Sequence, residues 1–238
     1  MTQNDVLERD SVLDARAFYL QKAFRALLEA MSRPGELVEL PEAEAAVRAD
    51  ADAAGLFPST IVVADVLLDA ATSVAVAGEG GSAAERVLTR RTHVLSADAE
   101  TAPYAILPAF VAGTEAESFV AGLTAGNLLD PQLGATCVVE CGTLLGEDAA
   151  GSRTGSASGT QAPSTWELSG PGIKTVSSFE TDRADVLRAR TERADEFPCG
   201  IDLVLVDRAG HLVAIPRSSK VREAAGNDDR KGALSWDM

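Results

Sequence analysis

Apolar residues recur at helical spacing near the start of the chain. The positions concerned are Leu20, Phe24, Leu27, Leu28 and Met31. Ser11, with Asp14 three residues later, resembles a capping box ahead of them, so an amphipathic helix is predicted. Pro34 and Gly35 end the helix, because proline cannot continue the hydrogen-bond ladder. The alternating residues 36–40 then predict a short strand.

The middle of the chain alternates between helical and extended patterns. We predict a buried helix from residue 58, a strand over 72–77, a helix over 82–89, a short strand over 92–95, an apolar segment over 104–110 and a short helix or turn over 115–123. Residues 41–54 fit either a surface helix or a loop. This alternation favours a layered α/β domain over a β-sandwich.

The second half of the chain is richer in predicted strands. Residues 135–141 form an apolar, β-branched strand, and residues 165–168 are its expected partner across a hairpin. The Gly/Ser-rich segment 146–163 lies between them and is expected to be a flexible insertion. A helix is predicted over 183–194, and the charged tail 222–238 is expected to be disordered.

The stretch 197–219 combines two apolar runs with a tight turn at Asp207–Gly210. Asp202 interrupts the first run, and a buried carboxylate requires hydrogen bonds or a cation. Arg217, where the second run ends, is one candidate partner. The pair is either structural, or Arg217 presents its guanidinium to a phosphate or carboxylate.

Composition limits the classes of function. The 238 residues are 46% hydrophobic, enough to bury the core of one domain, and we expect a single α/β domain over 1–238. The net charge of −15 repels nucleic acid and anionic membranes, so neither is an expected partner. The polar N-terminus and the three cysteines predict a cytoplasmic protein with reduced thiols.

Candidate chemistry is sparse. Cys137 and Cys141 would face the same side of a strand, but only Cys199, His93 and His211 remain as soft ligands. The spacings CxxC and HExxH do not occur, so buried apolar thiols are the better account and no metal is expected. Neither histidine has a nucleophile nearby in sequence, and no catalytic residue is assigned.

Two further features of the sequence bear on ligand binding. The turn Gly170–Pro171–Gly172 leaves backbone N–H groups uncovered, as in an anion cradle, or is simply a tight turn. Neither GxxxxGK[ST] nor GxGxxG is present. A pyridoxal phosphate enzyme would need a Schiff-base lysine, and nothing in the sequence around the four lysines favours any of them: Lys22, Lys174, Lys220 and Lys231.

Five motifs together resemble one family. They are FRALLEAMSRPG (24–35), DPQLGAT (130–136), LSGPGI (168–173), FPCGIDLVLV (197–206) and AIPRSS (214–219). In this order they resemble the PhnH family, a subunit of the bacterial carbon–phosphorus lyase machinery for phosphonate use. Ser218 and Ser219 stand where the family more often has two threonines. The segment 146–163 looks like an insertion.

The resemblance implies a three-layer αβα sandwich with a mixed sheet, similar to the large domain of pyridoxal-phosphate-dependent transferases without the cofactor. It also implies a homodimer that works with the G, I and J subunits. With the G, I and L subunits it would support transfer of a phosphonate to the ribose of ATP, releasing adenine and giving ribose 1-phosphonate 5-triphosphate. The implied role is accessory.

Residues that could contact a phosphorylated ligand are few. The candidates are Gly170, Gly172, Arg217, Ser218 and Ser219. The alternative function is a stand-alone protein or enzyme of α/β fold that binds a small phosphorylated molecule at these residues.

Overall fold

The computed structural model of the chain describes residues 3–79, 81–147, 153–157 and 162–224. The helices in these ranges are α1 (Gln3–Ser32), α2 (Ala45–Ala54), α3 (Pro58–Leu67), α4 (Gly81–Thr92), α5 (Thr114–Gly122) and α6 (Ala184–Glu192), with a short 3-10 helix at Pro131–Leu133. The first six strands are β1 (Val38–Glu39), β2 (Ser73–Val76), β3 (Leu95–Ser96), β4 (Tyr104–Leu107), β5 (Thr136–Cys141) and β6 (Thr143–Glu147). The other six are β7 (Arg153–Ala157), β8 (Ser164–Ser169), β9 (Ser177–Thr181), β10 (Asp202–Asp207), β11 (His211–Ile215) and β12 (Lys220–Glu223).

Seven strands form a mixed sheet in the order β1-β11-β10-β5-β4-β2-β3. The five strands from β10 to β3 run parallel to one another, whereas β11 is antiparallel to both of its neighbours. In the central pair, Val204 of β10 lies opposite Val138 of β5. Helices precede or follow the parallel strands, as parallel connections require. The α/β class with a mixed sheet is therefore confirmed.

The remaining five strands form a second sheet, entirely antiparallel, in the order β12-β8-β9-β6-β7. The predicted hairpin between 135–141 and 165–168 is wrong, because β8 pairs with β9 and β12. The chain leaves the first sheet at Gly142 and enters the second at Thr143. Within the predicted insertion 146–163, residues 153–157 form an edge strand, while 148–152 and 158–161 lie outside the described residues, as do tail residues 225–238.

Apolar side chains cover both faces of the seven-stranded sheet. Val138 and Val204 face the side packed by α1 to α4. Cys137 and Leu203, one residue earlier on each strand, face the side packed by α5, α6 and the second sheet. A strand buried on both faces is apolar at successive positions, which explains the uninterrupted runs in the sequence. Burial raises the pKa of the Cys137 thiol to about 12, so it is a protonated core residue.

Helix α1 presents a different face to the core from the one predicted. Its buried stripe consists of Ala23, Ala26, Leu27 and Ala30. Phe24 and Leu28 are 47% and 51% exposed. The small alanines let the helix pack against α3 and β11, and this turns the larger side chains outward. The amphipathic pattern implied that Phe24 and Leu28 lie on the buried face of the helix, and this implication is wrong.

A buried carboxylate holds together the loops at the carboxyl ends of the parallel strands. Glu140, at the end of β5, accepts hydrogen bonds from Phe57 N at 2.5 Å, Thr60 Oγ1 at 2.7 Å and Ala109 N at 3.0 Å. Glu140 thus joins the start of α3 to the segment after β4. Burial raises the pKa of the Glu140 carboxyl above its ordinary value of 4.5, despite these hydrogen bonds.

The raised pKa of Glu140 predicts a pH-dependent stability. The folded protein binds this proton more tightly than the unfolded chain does. Below about pH 4.5 the carboxyl is protonated in both states, and it costs no stability. As pH rises towards the raised pKa, the unfolded chain loses the proton more readily, and the folded state loses stability. Glu140→Gln should cost about 1–3 kcal/mol at low pH, because the amide loses one acceptor oxygen. The stability advantage of wild type over this variant should shrink as pH rises, as measured by urea unfolding at several pH values. Exposed Glu39→Gln is the control, and an advantage that widened with pH would contradict the raised pKa.

Candidate functional site

The beginning of β10 carries an ion pair between Asp202 and Arg217. The Asp202 carboxylate accepts from the Arg217 backbone N at 2.6 Å and lies 3.1 Å from Nε and 2.5 Å from Nη2. Asp202 is buried at 8% exposure. The pair follows from the sequence, because β11 returns antiparallel beside β10 and so brings the residue after Pro216 next to the beginning of β10.

The same arginine reaches a third segment. Arg217 Nη1 donates to Pro131 O at 2.5 Å and Nη2 to Gly134 O at 3.1 Å, in the segment DPQLGAT. A Cβ on Gly134 would lie 2.3 Å from Gly200 O, so only glycine fits at this contact. Three of the five family-like motifs therefore meet at the amino ends of β5 and β10, and every nitrogen of the Arg217 guanidinium is bonded within the protein.

The other candidate ligand residues do not form one site. Gly170, at φ +143, lies against the Ser218 carbonyl oxygen and the Ser219 Cα, in the turn between β11 and β12. Gly172 instead lies against Ser32 O at the end of α1. Gly170 therefore lies beside the two serines, whereas Gly172 lies beside Ser32 and Pro34 at the end of α1.

A cavity of about 380 Å³ opens at this edge of the sheet, and Arg217 and Ser219 line it. Its apolar walls include Phe197, Ile201 and Val221. Of the four lysines, Lys220 lines this cavity, Lys174 is exposed elsewhere, the Lys22 ammonium lies over the Phe18 ring, and Lys231 falls outside the described residues.

Arg190, which no sequence pattern marks, also lines the cavity. Its Nη2 donates to Pro216 O at 2.9 Å and Ser219 O at 3.1 Å. Within the described ranges, the buried Nε has no hydrogen-bond partner, and neither has the buried Ser219 Oγ. Burial lowers the pKa of Arg190 to about 10. The helical segment RADVLRARTER contains several arginines, and nothing in its spacing marks this one as buried.

A second polar cluster lies at the opposite edge of the sheet. Asp207 is fully buried, and its Oδ2 lies 2.7 Å from Nδ1 of His211. The other carboxylate oxygen accepts from the backbone N–H groups of Gly210 and His211, both at 2.9 Å. Ser59 Oγ donates to the Asp207 carbonyl oxygen rather than to the imidazole. These residues therefore cap a turn and do not form a serine–histidine–aspartate triad. The described ranges contain no group of three potential metal ligands.

Gly134→Ala tests how tightly the motifs pack at this edge. The new Cβ would lie 2.3 Å from Gly200 O and 2.6 Å from Arg217 Nη1, while φ −66 at residue 134 suits any residue, so the cost is steric. We expect a loss of about 3 kcal/mol in urea unfolding. Gly55→Ala is the control, since φ +69 with no neighbour within 4 Å should cost about 1 kcal/mol. Equal losses in the two variants would show that the edge is loosely packed.

Comparison with known families shows which family the chain belongs to. A family model described as bacterial phosphonate metabolism protein (PhnH) matches residues 13–222, and all five motifs lie within that range. A comparison with curated proteins finds no match. No helix in the part of the chain that the structure describes has the length and apolar character to cross a bilayer. Because the family model covers most of the chain, this protein belongs to the PhnH family of bacterial phosphonate metabolism proteins.

Proposed function

We propose that this chain is an accessory subunit of a carbon–phosphorus lyase core complex. In that role it supports transfer of a phosphonate to the ribose of ATP with release of adenine, giving ribose 1-phosphonate 5-triphosphate. The accessory role is supported by the contacts of Arg217. Among the described residues, its guanidinium bonds only to Asp202, Pro131 and Gly134. The family-like motifs at this edge therefore stabilise the fold, and the transfer chemistry belongs to another subunit.

An outward apolar stripe on α1 supports assembly. Phe18, Phe24 and Leu28 are each about half exposed, at 59%, 47% and 51%. Large apolar side chains that recur on one exposed helix are typical of surfaces that bind other proteins. We propose that this stripe contacts a second copy of the chain or the G, I, J and L type subunits, in a cytoplasmic complex.

The finer fold assignment is part of the same proposal. Helices α1 to α4 on one face of the seven-stranded sheet, and α5 and α6 on the other, support a three-layer αβα arrangement. A likeness to the large domain of pyridoxal-phosphate-dependent transferases, without the cofactor, would follow from that arrangement. The second sheet, packed beside α5 and α6, is an addition to it.

The second candidate function is a stand-alone protein that binds a small phosphorylated molecule. The cavity beside Arg190 favours it, because an assembly subunit does not need a partly buried arginine whose buried Nε has no partner among the described residues. The two functions differ in a simple observable, since only the first requires stable association with other phosphonate-pathway subunits.

Co-purification tests the accessory role. The tagged G-type subunit, co-expressed with this chain and the I- and J-type subunits, should retain the chain through affinity and size-exclusion steps. Phe24→Ser together with Leu28→Ser should weaken the association by about ten- to a hundredfold, since fully burying such a side chain contributes about 1.5–3 kcal/mol and only the exposed half of each is newly buried. The variant should still fold, because both side chains are exposed.

Phe110→Ser, at another exposed phenylalanine, is the matched control and should leave the complex intact. If the wild-type chain elutes free of every other subunit, the accessory role is wrong. If wild type and the double variant associate equally well, the complex forms through a surface other than α1.

A further inference from the structure

The three arginines that line the cavity beside Ser219 differ in their partners. Arg193 lies 2.5 Å from the Asp195 carboxylate and donates to three carbonyl oxygens. Arg217 is paired with Asp202. Arg190 contacts two carbonyl oxygens and, within the described ranges, forms no ion pair. It is thus the cavity arginine whose charge lacks an acidic neighbour in contact.

Removing a guanidinium from water without a counter-charge is costly, and such groups in proteins are normally paired or bind a ligand. Asp202 and Asp195 act on Arg190 only from a distance, and burial outweighs their attraction, so its pKa falls to about 10. Arg190 nevertheless stays charged at neutral pH. Its Nε donor is buried and has no partner among the described residues, and Arg190 itself lines the cavity.

Ser219 supplies a second free donor at the same place. Its carbonyl oxygen accepts from Arg190 Nη2 at 3.1 Å, so the serine and the guanidinium are in contact. The Ser219 hydroxyl is buried and has no partner in the described part of the chain. Unsatisfied buried polar groups are rare in native proteins, and two on neighbouring cavity residues suggest a common missing acceptor.

We propose that this cavity binds a phosphate or phosphonate group, held between the guanidinium of Arg190 and the hydroxyl of Ser219. Arginine and hydroxyl donors suit a tetrahedral oxyanion, which offers several acceptor oxygens to both. The apolar walls formed by Phe197, Ile201 and Val221 would accept an organic substituent on the phosphorus. This local cation overcomes the net charge of −15, which disfavours anion binding elsewhere on the surface.

This site rests on the second candidate function and deepens it by naming the residues that bind the anion, whereas the accessory role does not require a small-molecule site. It also replaces the candidate ligand-binding residues suggested by the sequence, among which Arg217 was expected to contact the anion. Arg217 is saturated by protein groups, whereas Arg190 is not. A result that rejected anion binding would leave the accessory role intact, and failure of co-purification would leave the anion site intact.

Isothermal titration of the full-length chain, in buffer free of phosphate and sulfate, tests the proposal with two probes. We expect inorganic phosphate and methylphosphonate to bind with a Kd of roughly 1 mM and to raise the Tm, whereas sodium chloride at equal ionic strength should not. Tighter binding of methylphosphonate would indicate contact with the apolar walls. Equal binding would indicate recognition of the anionic group alone.

Two variants locate the site. Ser219→Ala should weaken binding about tenfold and leave the Tm without ligand unchanged, because the hydroxyl has no internal hydrogen bond to lose. Arg190→Lys keeps the positive charge but loses the planar set of N–H donors of the guanidinium, and should also weaken binding about tenfold. Arg188→Gln, on the exposed face of the same helix, is the control and should bind normally. The proposal is overturned if neither probe binds at about 20 mM, or if Ser219→Ala binds as tightly as wild type.

Discussion

The carboxylate at the beginning of β10 governs the architecture at the amino edge of the main sheet. Asp202 opens β10, where burial would leave its charge unbalanced unless a cation reached it. Arg217 reaches it from the end of the neighbouring strand, and its remaining N–H groups bind carbonyl oxygens before β5. One ion pair therefore fixes the relative positions of three segments that are distant in sequence.

The two edges of the sheet use buried charge differently. At the carboxyl edge, where ligands of parallel α/β sheets usually bind, Glu140 and Asp207 direct their oxygens to backbone N–H groups and to neighbouring side chains. At the amino edge, Asp202 is satisfied in the same way, but Arg190 is not. Among the described residues, the unpartnered donors of Arg190 and Ser219 thus lie beside the return from β11 to β12, one of the places where the chain passes between the two sheets.

Local patterns predicted most elements and the contact between Asp202 and Arg217, because strand alternation and a short turn fix which residues lie opposite each other. They did not predict the second sheet, since the pairing of β8 with β12 depends on a connection of about fifty residues that carries no local signal. The orientation of α1 was mispredicted because alanine, with little apolar area, was outweighed by Phe24 and Leu28. No local pattern marks Arg190, because its contacts are with Pro216 and Ser219, about thirty residues further along the chain.

The chain passes between the two sheets through the single residue Gly142, and again through the four residues 216–219. The β6–β7 hairpin, by contrast, lies at the outer edge of the second sheet, remote in strand order from β12. The entropic cost of closing a surface loop grows only with the logarithm of its length, so lengthening such a loop costs little stability. This hairpin can therefore change in length during evolution without altering either crossing, whereas one residue added at Gly142 or Ser218 would shift the register of both sheets.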